Sequence, residues 1–148
     1  MSSQRKIDIT FEKGMENAIS NPEKSYETGE DLLAICKKKD DNHGKAKSYL
    51  LLSYAGQFLG LHAQSYEYVN LSIPMFIEFN DLKNQASAYN TLGFVYYYFD
   101  DHNNRLEVNL KSLNLRKKIK DHDGIMRSLN NTGDTYLKLS ATYSNADS

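Results

Sequence analysis

A period of forty residues runs through this chain, and it constrains the fold more than any other feature. Laying the second half of Gly44–Asp123 over the first pairs Ala46 with Ala86, Tyr49 with Tyr89, Leu52 with Leu92 and His62 with His102. Glu67 then meets Glu107, Ser72 meets Ser112 and Asp81 meets Asp121. One more shift pairs Asn90 with Asn130, Gly93 with Gly133 and Tyr96 with Tyr136. A fixed period in this range marks a solenoid, in which each supersecondary unit buries its apolar face only by stacking on its neighbours. Solenoids mostly hold other molecules, so the question becomes which partner rather than which reaction.

Punctuation arrives about every twenty residues: Asn21-Pro22, Asp40 to Gly44, Gly60, Asn80-Asp81, Asp100 to Asn104 and Asp121 to Gly124. These residue types cap helices or tolerate turn dihedrals. Between them the apolar spacing is helical, as in Phe11, Met15, Ala18 and Ile19. The pattern predicts seven helices, at about 5–19, 22–39, 44–59, 62–79, 84–99, 103–120 and 124–139. Short connections make consecutive helices antiparallel neighbours. The expected fold is all-α, a right-handed superhelix of antiparallel helix hairpins in one array over 1–148. It comprises a degenerate repeat at 5–40, repeats at 44–80 and 84–120, and an incomplete repeat at 124–139. A seventh helix without an eighth leaves an apolar face uncovered. It is expected to cap the array, to mediate homodimerisation or to mark where a longer natural chain was cut, the last being preferred.

Composition narrows the partner. A net charge of −1 gives no bulk attraction to nucleic acid or to an anionic membrane. The first residues lack the apolar run of a signal peptide, and no stretch approaches a membrane span. Cys36 is the only cysteine, so there is no internal disulfide and no cysteine-rich zinc site. Its neighbours Leu32, Leu33 and Ile35 predict a buried, inert thiol. A reducing, cytoplasmic setting fits these features.

The run from Ala86 to Asp101, echoed from Met126 to Leu139, resembles the tetratricopeptide repeat in a forty-residue variant. The resemblance is good over 44–139 and weak over 5–43. It implies that the small residue where helices cross falls on Gly93 and Gly133, with Ser53 in the earlier unit, and the following aromatic on Tyr96 and Tyr136. A side chain at such a glycine is expected to push the paired helix outward, at about 1–3 kcal/mol. Three departures stand out. Arg105 replaces the family's alanine, which predicts a looser hairpin or a snorkelling side chain. Gly56 replaces a tyrosine. Pro74 inside a second helix predicts a kink. Forty-residue repeats ending in a Lys-Lys-x-x-Asp-x-x-Gly-like turn are similar to those in regulatory halves of bacterial signalling proteins such as diguanylate cyclases and sensor histidine kinases. The resemblance thus implies a non-catalytic, sensory protein–protein interaction module. A freestanding adaptor is the main alternative, and a small-ligand binder or enzyme the third.

Family groove positions carry over to Lys47, Leu50, Tyr54, Gln57 and Phe58, to Ser87, Asn90, Phe94, Tyr97 and Tyr98, and to Arg127, Asn130, Asp134, Leu137 and Lys138. Tyrosine offers area at little rotamer entropy and asparagine both donates and accepts, so a peptide or helix partner is implied. The competing reading is that these aromatics pack between helices. Of the family's carboxylate-clamp positions, only Arg127 and Asn131 could serve. No cofactor and no metal is expected. His62 and His102 occupy equivalent turns, about 8–10 Å apart in stacked repeats, whereas ligands of one zinc lie within about 4 Å. The Asp121-His122-Asp123 cluster reads as helix capping. Lys37 to Lys39 and the basic run from Arg116 to Lys120 read as complements to helix dipoles.

Overall fold

From residue 40 to residue 120, every twentieth residue stands in the left-handed region: Asp40, Gly60, Asn80, Asp100 and Lys120, with φ between 52° and 76°. The residue after each one closes the preceding helix. The N–H groups of Asp41, Leu61, Asp81, Asp101 and Asp121 donate to the carbonyls of Cys36, Gly56, Phe76, Tyr96 and Arg116 at 2.9–3.0 Å. This is the Schellman closure, which satisfies carbonyls that a helix end would otherwise orphan. Three of the same aspartates then open the next helix through their side chains. Asp41 accepts from the Gly44 N–H at 2.9 Å, Asp101 from Asn104 at 3.3 Å and Asp121 from Gly124 at 3.0 Å. One residue thereby ends one helix and caps the next, and a three-residue turn suffices.

The computed structural model describes residues 1–146. It holds α1 (Ser3–Asn17), α2 (Pro22–Lys38), α3 (Asn42–Phe58), α4 (His62–Glu78), α5 (Leu82–Tyr98), α6 (His102–Lys118) and α7 (His122–Ala146). There is no strand among the described residues. The fold is all-α, as the periodicity predicts. The seventh helix differs from expectation: it runs for 25 residues to Ala146 instead of ending at residue 139. Residue 140, where a sixth left-handed residue would fall, is Ser140, and it stays helical. Serine lacks the tolerance of Gly, Asn or Asp for that backbone region. Helix α4 runs through Pro74 without interruption to Glu78.

The chain divides into two compact units, Met1–Asp81 and the part from Leu82 onward. In the first, α1 to α4 form two antiparallel hairpins around α3. Leu50, Leu51, Leu52 and Ala55 are all fully or almost fully buried, so α3 is enclosed on nearly every face. Each such leucine contributes about 1.5–3 kcal/mol. Two glycines let α1 and α2 approach it: a Cβ on Gly14 would stand 2.6 Å from Leu51, and one on Gly29 would stand 2.9 Å from Leu52. At Gly56 the space left by the missing tyrosine is taken from outside, by Ser65 and the ring edge of Tyr26. His43 stacks on Phe79 at 4.6 Å and its Nε2 lies 2.8 Å from Asp81 Oδ2, tying the end of α4 to the start of α3.

In the second unit α5 and α6 form a hairpin and α7 packs on α6. A buried serine hydroxyl pins each of the three hairpins. Ser25 donates to the Gly14 carbonyl at 2.8 Å, Ser53 to Ser65 at 2.7 Å and Ser112 to Ala86 at 2.9 Å. Each such bond adds about 0.5–1.5 kcal/mol and fixes the register.

Candidate functional site

The groove residues read from the sequence divide according to unit and depth. On α3, Lys47 and Leu50 are not surface residues. Leu50 is fully buried, and Lys47 is buried with Nζ 2.6 Å from Asp8 Oδ1 on α1. Helix α1 packs on α3 and supplies the carboxylate that holds the Lys47 ammonium in place. Burial raises the Asp8 pKa, but hydrogen bonds from Lys47 and Gln4 outweigh it and hold the carboxyl below its ordinary value. Gln57 is buried too, with its amide nitrogen unbonded. Tyr54 is half-buried and meets the exposed Phe58 edge-on at 5.2 Å. Of the groove residues on α3, those that reach solvent are therefore aromatic and lie in its last two turns.

The second unit offers a more developed surface. Asn90, Phe94 and Tyr97 stand at helical spacing along one face of α5. Asn90 and Phe94 are half-buried and Tyr97 is exposed. Asn131 on α7 donates from Nδ2 to Asn90 Oδ1 at 2.7 Å, joining that face to α7. This bond employs one of the two residues available for a carboxylate clamp. Arg127, Asn130, Asp134, Leu137 and Lys138 are all exposed on α7. Tyr98 is exposed and lies edge-on to Tyr97 at 5.7 Å. Ser87 is occupied, accepting from Arg116 Nη2 at 3.0 Å and donating to the Lys83 carbonyl at 3.2 Å.

Arg105 organises this surface, which an arginine in place of the expected alanine signals without locating. The residue is 5% exposed. Its guanidinium lies over the Tyr97 ring at 4.8 Å, and Nη1 donates to Asp134 Oδ2 at 3.0 Å. The arginine neither snorkels nor loosens the hairpin, because the Tyr97 face and the Asp134 carboxylate satisfy it. The arrangement fixes an exposed aromatic ring between α5 and α7 at little further entropy cost.

Arg116 is also more than a complement to the dipole. It is buried, with Nη1 2.6 Å from Asp121 Oδ2. Asp121 caps α7, and the Gly124 N–H together with Arg116 holds its carboxyl below the ordinary value. It serves as a structural cap rather than an acid–base group. Burial in turn pushes the Cys36 thiol up, reinforced by Asp41, so the protonated form is favoured. His102 Nε2 lies 2.8 Å from Asp100 Oδ1. Among the described residues no group of three or more His, Cys, Asp or Glu side chains is placed to hold a metal ion. Nor is any described helix long and apolar enough to cross a membrane.

The structural positions of the repeat behave in two ways. A Cβ on Gly93 would stand 2.5 Å from Asn109 Oδ1, so α6 approaches α5 closely there. At Gly133 nothing lies within 4 Å. Tyr96 is half-buried, while Tyr136 is 53% exposed. No protein-family model matches the chain, and no curated protein matches it significantly.

Proposed function

We propose that this chain is a non-catalytic protein-recognition module of the tetratricopeptide type, the cytoplasmic regulatory part of a larger bacterial signalling protein. Its partner is a peptide or helix laid along α5 and α7. One observation carries this reading: Tyr97, held between the Arg105 guanidinium and solvent, stands in line with Phe94 and the Asn90–Asn131 amide pair. Recognition surfaces are built in this way, with rigid aromatic anchors beside groups that bond a peptide backbone. Arg127 and Lys138 on the α7 flank favour acidic residues in the partner.

Panning a phage-displayed peptide library against the full chain, followed by calorimetric titration of the enriched peptides, tests the assignment. The Asn90→Ala, Tyr97→Ala double variant is expected to fold and to bind the enriched peptides about tenfold or more weakly. A library that yields no enriched peptide overturns the reading, as do peptides that bind the double variant equally well.

A further inference from the structure

The apolar stripe on α7 that no described residue covers goes beyond the groove and occupies a different face. Met126, Leu129, Tyr136 and Tyr143 are 61%, 47%, 53% and 65% exposed. With Gly133 and Ser140 between them they recur at intervals of three and four residues along the helix. That spacing places all six on one narrow seam. The adjacent face, marked by Gly124, Ser128, Thr132 and Thr135, is buried in the packing with α6.

The earlier repeats show what such a seam accepts. On α3 the equivalent residues are Ala46, Tyr49, Ser53 and Gly56. There α4 covers them, with Tyr68 stacked on Tyr49 at 5.8 Å and Ser65 against Ser53 and Gly56. On α5 they are Ala86, Tyr89, Gly93 and Tyr96. There α6 covers them, with Asn109 over Gly93 and Lys111 Nζ 5.5 Å from the Tyr89 ring. In both cases the cover is an antiparallel helix. On α7 the helix runs straight through residue 140, so the chain does not fold back onto the seam within the described residues.

We propose that the α7 seam is closed by the α7 of a second copy of this chain, antiparallel about a two-fold axis near residues 134 and 135. In that register Met126 faces Tyr143 of the other copy, Leu129 faces Ser140 and Gly133 faces Tyr136. Two of these three pairings set a large side chain against a small one, and the axis repeats them. Charge agrees with size. The seam carries no charged residue, and Arg127, Asp134 and Lys138 lie on the other flank, so two copies meet without repulsion. The six residues span about 26 Å of helix at about 1.5 Å per residue. A contact of that length buries on the order of 600–800 Å² in total, below the ~1,200 Å² of a standard stable interface. The dimer is accordingly weak and reversible.

Sedimentation velocity of the full chain from about 2 to about 200 µM tests the proposal. Wild-type protein is expected to shift from monomer to dimer across that range. Gly133→Arg introduces bulk and charge where nothing lies within 4 Å, so it is expected to melt at an unchanged or higher temperature. It is also expected to weaken association about tenfold or more. Tyr136→Lys supplies an independent second variant with the same expected outcome. A wild-type chain that stays monomeric at every concentration overturns the second-copy assignment and leaves the seam to a helix of another chain. Self-association that both folded variants retain at full strength overturns it as well, because assembly then uses another surface. Neither outcome bears on the peptide titration, which reads the Asn90 and Tyr97 face.

Discussion

Helices α5 and α7 carry the same seam one repeat apart, and the structure treats the two seams in opposite ways. On α5, Gly93 lies beneath Asn109 of α6; on α7, Gly133 faces open space. Tyr96 is half-buried while Tyr136 is 53% exposed. The residue pattern is shared, so it records a capacity to receive a helix rather than the presence of one. What α5 has and α7 lacks is a turn: Asp100 adopts φ 57° and sends α6 back, whereas Ser140 stays helical.

Substitutions can break or sharpen this contrast, and the largest effect is expected at the covered seam. Gly93→Leu must displace Asn109, whose Nδ2 also donates to Thr135 Oγ1 at 3.1 Å, so the loss reaches α7. It is expected to destabilise the second unit by about 3 kcal/mol, measured by urea unfolding. An unchanged midpoint would mean that α6 does not bear on α5 at this point. Arg105→Ala comes next. It removes the Tyr97 and Asp134 contacts from a buried position, but leaves a carboxylate that water can reach. The expected cost is about 1–2 kcal/mol, with Tyr97 free to reorient and peptide affinity reduced.

Asp121→Asn is expected to cost about 1 kcal/mol, since asparagine still caps α7 but loses the Arg116 charge pair. It also carries a pH signature. The carboxyls of Asp8 and Asp121 are both held below their ordinary value in the folded protein. On acidification the unfolded chain therefore takes up protons first. The stability they supply is full above about pH 5, and it is lost as the pH falls below about 4 through the folded values. Unfolding free energies measured between about pH 2 and about pH 6 should fall less steeply in Asp121→Asn than in the wild type. Parallel curves would remove Asp121 from the account.

The smallest effect belongs to the bare seam. Gly133→Leu is expected to leave the dilute chain as stable as before, or more stable by up to about 1 kcal/mol, because leucine favours the helix and meets no neighbour. A loss as large as that of Gly93→Leu would mean that α7 is covered in solution even when dilute, and would erase the distinction between the two helices.

Much of the fold was legible in residue type alone. Asp40, Gly60, Asn80 and Asp100 are the types that accept a left-handed backbone, and all four do so. Asp41, Asp101 and Asp121 cap the helices that follow, for reasons contained within three residues of chain. Lys120 completes the same series without the preferred chemistry, drawn in by the closure that Asp121 and Arg116 make around it. The candidate surface was half legible. Asn90, Phe94 and Tyr97 were readable from helical spacing, because spacing decides which residues share a face. Lys47 was not, since what holds it is Asp8 of α1, a helix from the part of the chain where the repeat is weakest.

The sequence by itself determined the helices, their twenty-residue phase and the seam each helix offers, because capping, left-handed turns and helical spacing act over a few residues. Only the tertiary structure decided that Arg105 is buried between Tyr97 and Asp134, that Asp8 of α1 holds Lys47, and that the seam of α7 stays bare. Those are statements about which surfaces meet. A surface is buried by what lies opposite it, and no residue carries that information alone.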